Sequence, residues 1–406
     1  MQKIPNEAKP ATRKAREDRF QYHDYFGVDE LLSEEHLLAR QAVRDWVKAE
    51  VTPIIEDYAE RAACPTHLFK GLAEIGAFGP SLPAKYGCGG MDEIAYGVIM
   101  QELERGDSGV RSMASVQGSL VMYPIYRFGS EEQKKYYLPK LASGELIGCF
   151  GLTEPDHGSN PSGMLTNIKD DGNAYILNGA KMWITNSPLA DIAVVWAKDE
   201  SGKIRGLIVE KGMKGFSAPE IHGKWSLRAS ITGELIFEDV RVPKKNLLPE
   251  AAGLKGPLSC LSKARYGIAW GVIGAALDCY DTALRYSQER IQFGKPIGAF
   301  QLTQKKLAEM ITEITKAQLM AWRMGTLANS GKVTPEQISM AKRNNVNMAL
   351  VVARESRQIL GGMGITNEYP IMRHMMNLET VLTYEGTHDI HLLITGHDIT
   401  GFNAFS

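Results

Sequence analysis

The hydrophobic spacing of the chain changes twice, and this limits the folds open to its 406 residues. From about Ser33 to Ala142, apolar residues recur at helical intervals behind acidic helix starts. Between 149 and 255, short β-rich segments alternate with turn residues, and the helical spacing returns at about Gly256. The sequence therefore predicts an α+β multidomain protein with an N-terminal all-α domain (1–148), a middle, mostly antiparallel and barrel-like β domain (149–255), and a C-terminal four-helix-bundle domain (256–406).

The middle segment predicts five strands, at 175–177, 181–185, 192–197, 204–210 and 234–242. Asn178-Gly179 separates the first two. This dipeptide is typical of a type I′ turn, because both central residues of that turn need positive φ. The sequence therefore predicts a β-hairpin at this point.

The C-terminal third predicts long amphipathic helices. Thr334-Pro335-Glu336-Gln337 is a capping box with proline at the first helical position. The uncharged stretch 266–277 is too short for a membrane helix, so it predicts a buried helix. Two apolar stripes support the helices: Leu307, Met310, Ile311, Ile314, Ala317, Ala321 and Met324, then Val346, Ala349, Leu350, Ala353 and Leu360.

Charge and cysteine usage exclude several classes of function. The 46 basic residues nearly cancel the 47 acidic ones, so there is no electrostatic case for binding nucleic acid or an anionic membrane. The five cysteines are odd in number and far apart, which indicates reduced thiols. Residues 1–20 lack the apolar run of a secretory signal. We expect a cytoplasmic protein in a bacterium, or a matrix protein if the source is a eukaryote.

Common nucleotide-binding and metal-binding patterns are missing from the sequence. It contains no GxGxxG after a strand, no GxxxxGK[ST] and no GxSxG. His388 and His391 are spaced to share a helix face, and His397 follows six residues later. This pattern offers no clear third metal ligand, so we expect no metal. Three other candidate residues also have ordinary structural interpretations. Glu385 suits a helix N-terminus as well as catalysis, Arg111 suits a surface cation, and Trp183 suits a strand core as well as a cofactor platform.

Two longer motifs carry a family resemblance that spans Phe26 to Phe405. Residues 151–160 (GLTEPDHGSN) and 358–365 (QILGGMGI), the latter continuing through Glu368, Arg373 and Asn377, resemble signatures of the acyl-CoA dehydrogenase family. His157 and Asn160 depart from the first signature. Segments 102–112, 263–271 and 383–391 are similar to the branch of the family that acts on glutaryl-CoA.

The resemblance implies bound FAD between the β domain and the C-terminal helices, a homotetramer, and electron-transfer flavoprotein as electron acceptor. The residues that it places at the flavin and its attached chain are Phe150, Leu152, Thr153, Ser159, Trp183 and Thr185. Those that it places at FAD across a subunit interface or at the far end of the cofactor are Arg290, Gln292, Phe293, Gln301, Gln358, Gly361, Gly362, Thr387 and Asp389.

For the substrate, the resemblance implies a CoA thioester with a distal carboxylate, converted to crotonyl-CoA and CO2. Glu385 would be the general base, and Arg111 with Ser112 would bind the carboxylate. Glu104 and Tyr384 are implied for decarboxylation, Ser262 and Arg265 for the CoA arm, Gly386 and Phe405 for the thioester, and Ser159 for substrate as well as FAD. The alternatives are a general short-chain acyl-CoA dehydrogenase or oxidase, or a non-catalytic relative that binds nucleic acid.

Overall fold

The computed structural model describes residues 23–405, which begin with a group of helices. Reciprocal side-chain caps fix two helix starts: Ser33 Oγ accepts the His36 N–H while His36 Nδ1 accepts the Ser33 N–H, and Ser130 pairs with Gln133 in the same way. The helices are α1 (Glu34–Trp46), α2 (Ile55–Arg61), α3 (Leu68–Glu74), α4 (Glu93–Gly106), α5 (Ser108–Ser115), α6 (Tyr123–Phe128) and α7 (Glu131–Ala142).

A mostly antiparallel sheet follows, as predicted. Its strands are β1 (Gly148–Gly151), β2 (Asn167–Asp170), β3 (Ala174–Thr185), β4 (Ile192–Lys198), β5 (Ile204–Glu210), β6 (Phe216–Ser217) and β7 (Thr232–Pro243). The order is β1-β4-β2-β3-β7-β6, and β5 pairs with β4. Only the pairings of β4 with β1 and β2 are parallel within this sheet. Ile192, Val194 and Trp196 face the helical core, and the alternate residues of β4 face a second apolar cluster.

The predicted hairpin at Asn178-Gly179 is wrong, because β3 runs unbroken through it beside β7. The Asn178 side chain instead exchanges two 2.9 Å hydrogen bonds with Asp239 of β7. Gly179 has a φ of 136°, and a Cβ there would lie 2.5 Å from Thr166 Oγ1. The dipeptide is therefore a β-bulge whose glycine permits close approach of the chain before β2.

Five further helices complete the described chain: α8 (Lys255–Glu289), α9 (Gln301–Asn329), α10 (Pro335–Ile359), α11 (Ile371–Thr383) and α12 (His388–Thr400). Between α8 and α9 lies a short hairpin of β8 (Ile291–Gln292) and β9 (Lys295–Pro296). The predicted cap of α10 forms, since Thr334 Oγ1 accepts the Gln337 N–H. All four of the other helices contact α10, and the apolar stripes of α9 and α10 are buried, apart from a half-buried Leu307. The predicted domain boundaries remain a prediction.

Helices α4 and α8 approach each other closely through glycines. A Cβ at Gly97 would lie 2.4 Å from the Trp270 ring, and one at Gly267 would lie 2.4 Å from the Tyr96 hydroxyl. A Cβ at Gly271 would lie 2.2 Å from a carboxylate oxygen of Glu104. Glycines on both helices therefore leave room for large and polar side chains of the facing helix inside the core.

We expect Gly274→Ala to destabilise the protein although alanine favours a helix. A Cβ at Gly274 would lie 1.9 Å from the backbone oxygen of Gln101 in α4, so the two helices must separate. Overpacking of this kind costs about 1–3 kcal/mol, more than the roughly 1 kcal/mol gained in helix propensity. Urea unfolding should show a net loss of up to about 2 kcal/mol. Gly396→Ala in α12 is the matched control, because nothing lies within 4 Å of its Cβ. Equal stability of the two variants would contradict the packing argument.

Candidate active site

A fully buried ion pair between α4 and α5 forms one side of the candidate active site. Arg111 Nε donates to Glu104 Oε2 at 2.7 Å, and neither side chain is exposed. Arg111 Nη2 donates to the Tyr384 hydroxyl, which comes from the chain after α11. Burial opposes the positive charge, but Glu104 and Tyr384 outweigh it and raise the pKa of Arg111 above its usual value. Arg111 is thus a buried cation and not the surface cation that the sequence also permitted.

Two polar atoms of this ion pair are buried without a hydrogen-bond partner among the described residues. They are Arg111 Nη1 and Glu104 Oε1, and the hydroxyls of Ser112 and Ser115 share this property. A buried donor or acceptor without a partner costs about 1–3 kcal/mol. Such a group of unsatisfied atoms in a cluster indicates a place where a polar ligand group binds.

Glu385 lies in the short connection between α11 and α12 with a left-handed backbone. Its φ is 55°, a conformation that costs a non-glycine residue about 1–2 kcal/mol. Its Oε2 atom is buried and has no partner among the described residues. Burial raises the pKa of Glu385, although the nearby cations of Arg111, Lys342 and Arg265 oppose the change. A strained carboxylate with a raised pKa is typical of a catalytic base.

The backbone around Glu385 is held by two cations. Arg265 Nε of α8 donates to the Glu385 carbonyl oxygen at 2.6 Å. Lys342 Nζ of α10 donates to the carbonyl oxygens of Tyr384 (3.0 Å) and Gly386 (2.8 Å). The structure thus brings together predicted residues from three helices and one loop. They are Glu104, Arg111, Arg265, Tyr384, Glu385 and Gly386, and Ser112 follows Arg111 in α5.

The backbone conformation and exposure of Trp183 in β3 indicate whether the chain could hold a flat aromatic cofactor. Its φ is 63°, its side chain is 56% exposed, and the ladder register with β7 shifts between Lys181 and Ile184. The N–H of Met182 beside it donates to the Thr153 carbonyl oxygen at 2.9 Å. An indole raised from the sheet beside the 150–153 backbone and Thr185 fits an isoalloxazine ring that stacks on it. Phe150 and Leu152 themselves are buried in the core, so only their backbone could contact such a ring.

A buried ion pair fixes the loop that carries Leu152 and Thr153. Lys181 Nζ donates to Glu154 Oε1 at 2.8 Å and to the Leu152 carbonyl oxygen at 3.1 Å. Glu154 also accepts the backbone N–H groups of Leu165 (2.6 Å) and Thr166 (3.0 Å). Burial raises the pKa of Glu154, but these hydrogen bonds and Lys181 outweigh it and lower the pKa to about 2. The loop is therefore tied to β3 and to the chain before β2 by one carboxylate.

The residues predicted to reach FAD across a subunit interface lie on the surface. Phe293, at the tip of the β8–β9 hairpin, is 93% exposed and has a φ of 52°. Gln358 accepts a hydrogen bond from Lys306, and no atom lies within 4 Å of a Cβ at Gly361 or Gly362. Arg290, Gln292 and Gln301 are exposed as well. Their position leaves them available to a second chain, and their role stays a prediction.

The remaining predicted residues lie in varied surroundings. Ser262 Oγ donates to the Leu258 carbonyl oxygen of its own helix at 3.1 Å. Thr387 caps α12 by accepting the Ile390 N–H, and Asp389 follows in the first turn, so both have helix-stabilising positions. Ser159 and Phe405 are exposed. Thr387 is the last residue of the connection that carries Glu385, and the predicted contacts of all five residues stay predictions.

Sequence analysis missed one buried residue at this site and considered a second only as a metal ligand. Lys342 is 1% exposed and precedes Val346 by one helical turn, on the same stripe as the apolar residues of α10. A lysine that continues an apolar stripe was the available signal. His391 in α12 is fully buried, neither ring nitrogen has a described partner, and burial lowers its pKa to about 2. This histidine is therefore neutral.

No three His, Cys, Asp or Glu side chains among residues 23–405 are grouped so that they could hold a metal ion. Over the same residues, every helix falls short of the length or apolar character that crossing a bilayer requires.

Comparison with known proteins identifies the family. The models of the acyl-CoA dehydrogenase N-terminal, middle and C-terminal domains match residues 33–145, 149–240 and 251–399. The chain belongs to the acyl-CoA dehydrogenase family, which confirms the predicted family and fold.

Individual relatives differ in the substrates that their names give. A glutaryl-CoA dehydrogenase from Mycobacterium smegmatis, solved in complex with FADH2, is 51% identical, with a TM-score of 0.92 over 94% of this chain and 98% of that one. The mitochondrial short-chain specific acyl-CoA dehydrogenase of Rattus norvegicus is 34% identical over 96% of both chains. A chain from a structure of the electron transferring flavoprotein of Acidaminococcus fermentans is 36% identical, with a TM-score of 0.88 over 91% and 98% of the two chains.

Proposed function

We propose that the protein oxidises glutaryl-CoA and decarboxylates it to crotonyl-CoA and CO2, with FAD as its cofactor. The observation that carries this proposal is Arg111, a buried guanidinium whose Nη1 has no described partner. A guanidinium suits a carboxylate because it is planar and less strongly hydrated than an ammonium group. The 51% identity to the mycobacterial glutaryl-CoA dehydrogenase supports the same substrate. Its complex with FADH2 supports the cofactor.

In this reaction Glu385 removes the proton from the carbon next to the thioester carbonyl. Its left-handed backbone directs the carboxylate, and its raised pKa brings its proton affinity closer to neutral pH. When bound, FAD supplies the acceptor for the hydride that leaves the β-carbon. Thr153, Trp183 and Thr185, with the backbone at Phe150 and Leu152, would hold the cofactor. These residues orient the thioester and the flavin relative to each other, and orientation accounts for much of the rate enhancement of a reaction between two bound molecules.

Arg111 holds the distal carboxylate in the first step and releases it as CO2 in the second. Loss of CO2 from the unsaturated product leaves its electron pair delocalised over a dienolate. Glu385, which now carries the proton, can return it to the γ-carbon to give crotonyl-CoA. Glu104 already neutralises the charge of Arg111, and Nη1 is the guanidinium nitrogen without a described partner. The guanidinium therefore binds the carboxylate through few donors, which does not prevent its departure. The predicted role of Glu104 and Tyr384 in decarboxylation fits these contacts.

Electron-transfer flavoprotein is the acceptor that we propose, supported by the similarity to the chain from the Acidaminococcus fermentans structure. We also propose a homotetramer in which exposed residues such as Arg290 and Phe293 reach the FAD of a neighbouring chain. The second candidate is a short-chain acyl-CoA dehydrogenase, favoured by the 34% identity to the rat enzyme.

An anaerobic titration of the FAD-loaded protein separates the two candidates. We expect glutaryl-CoA to bleach the visible flavin band at lower concentration than butyryl-CoA, and mass spectrometry with an added electron acceptor to find crotonyl-CoA. If butyryl-CoA is the better reductant, the protein is a short-chain enzyme. Accumulation of glutaconyl-CoA would contradict the decarboxylation step alone.

A further inference from the structure

Lys342 is a buried lysine to which the proposed chemistry gives no task. It lies in α10, is 1% exposed, and shares a helix face with the apolar residues that pack into the core. An ammonium group is costly to bury, so its hydrogen bonds define what it does. Its Nζ donates to the Tyr384 and Gly386 carbonyl oxygens, the two that flank Glu385.

Arg265 completes the arrangement from α8. Its Nε donates to the carbonyl oxygen of Glu385 itself, so two cations together bind three consecutive backbone carbonyls. The loop also has little space to move. A Cβ at Gly386 would lie 3.0 Å from Arg265 Nη2 and 3.0 Å from the His391 ring. The loop is thus enclosed by α8, α10 and α12.

We propose that Lys342 is a positioning residue for Glu385, holding the left-handed backbone that directs the carboxylate and supplying a positive charge that favours its ionised form. The proposal rests on the proposed role of Glu385 as the base. The left-handed backbone is unfavourable for glutamate, so it needs bonds that the ordinary helical conformation would lose. Two charge-assisted hydrogen bonds to the flanking carbonyls are such bonds.

Several titratable groups interact electrostatically with Lys342. They are Glu385 in the loop, Arg265 in α8, Arg111 in α5 and the neutral His391 in α12. Burial lowers the pKa of Lys342 to about 7, and Glu385 opposes this change. In turn, Lys342 lowers the pKa of Glu385 against the larger effect of burial. Removing the lysine charge should therefore raise the pKa of Glu385 further.

The test compares Lys342→Met, Lys342→Gln and Lys342→Arg in the FAD-loaded protein. Met removes the donors and the charge, Gln retains donors without charge, and Arg retains both. The rate of anaerobic flavin reduction is measured against pH with saturating glutaryl-CoA and, in parallel, butyryl-CoA. FAD content and the affinity for an unreactive CoA thioether are measured for every variant.

We expect Lys342→Met to reduce the limiting rate about 100-fold while FAD content and thioether affinity change by less than about threefold. The acid limb of its pH profile should move to higher pH by about one pH unit, because an opposite charge near a carboxylate typically lowers its pKa by one unit or more. Lys342→Gln should move the limb similarly, and Lys342→Arg should keep it near the wild-type position. If Lys342→Met does not fold, the difference between Gln and Arg decides.

Lys263→Met is the matched control. Lys263 of α8 is a partly buried lysine whose Nζ binds Ser81 Oγ at 2.9 Å and Glu93 Oε1 at 2.6 Å. We expect this control to leave the acid limb in place. An unchanged limb in both Lys342→Met and Lys342→Gln would overturn the proposal, as would a rate loss that follows the loss of FAD. A substrate preference for butyryl-CoA would overturn only the proposed substrate, because the same comparison then uses butyryl-CoA.

Discussion

Replacing Glu385 with glutamine is expected to slow flavin reduction by glutaryl-CoA about 10⁴-fold, the upper end of what a general base contributes. Glutamine has nearly the same shape but cannot take up a proton. Oε2 of Glu385 is buried without a hydrogen-bond partner among residues 23–405, so no carboxylate among them is hydrogen-bonded to that atom and ready to replace it. Anaerobic stopped-flow measurement of the flavin band gives the rate, and the unreduced spectrum reports whether FAD remains bound.

Glu385→Asp is the matched control for this prediction. It keeps a carboxylate but withdraws it by one methylene, so we expect an intermediate loss and a pH profile with an acid limb. The limb has a defined direction: the carboxylate is the active form, so the rate falls as pH drops through its pKa, which burial raises above the ordinary glutamate value. Reduction of the glutamine variant within tenfold of wild type would exclude Glu385 as the base.

Local patterns in the sequence were sufficient to predict the layered architecture. The capping box at Thr334 forms as expected, and the alternating residues of β4 divide between two apolar clusters. Such features depend on residues a few positions apart, so spacing alone reveals them. The hairpin predicted at Asn178-Gly179 was wrong because the true partners are distant: Thr166 lies 13 positions from Gly179, and Asp239 lies 61 positions from Asn178. Tertiary contacts converted a turn signal into a bulge.

The site was harder to predict because its residues acquire their properties from distant partners. Arg111 has an ordinary interpretation as a surface cation until α8 covers it, and Gly271 provides the space for its partner Glu104. Lys342 and Glu385 are 43 positions apart, and nothing in the local sequence of either indicates that they meet. Family resemblance supplied Glu385 and Arg111, whereas the apolar stripe could indicate only that Lys342 is buried, and its hydrogen bonds were needed to show its partners.

The substrate preference is expected to depend on the Arg111–Glu104 pair, and this can be tested without leaving a buried charge unpaired. Arg111→Met alone would strand the Glu104 carboxylate, a change that costs about 3–5 kcal/mol. The double variant Arg111→Met/Glu104→Gln removes both charges and leaves similar volumes. It would still offer space for an acyl chain but no cation for a distal carboxylate.

We expect this double variant to lose about 10²–10³-fold in kcat/KM for glutaryl-CoA, because a carboxylate buried without a counter-ion costs about 3–5 kcal/mol and each 1.4 kcal/mol is tenfold. For butyryl-CoA, which carries no distal charge, kcat/KM should change by less than about tenfold. Steady-state assays with an artificial electron acceptor, followed for both substrates in one preparation, give the ratio directly. The ratio is insensitive to the fraction of enzyme that is folded and FAD-loaded.

A second buried arginine–glutamate pair provides the control. Arg44 of α1 donates from Nε to Glu102 Oε2 of α4 at 2.9 Å, and both side chains are buried. Arg44→Met/Glu102→Gln removes the same two charges from the N-terminal helices, so its effects on stability should be comparable while the substrate ratio stays at the wild-type value. If both double variants retain the wild-type ratio of kcat/KM for glutaryl-CoA to that for butyryl-CoA, Arg111 does not bind the distal carboxylate. The buried guanidinium would then be a structural partner of Glu104 and Tyr384, and the short-chain assignment would be preferred.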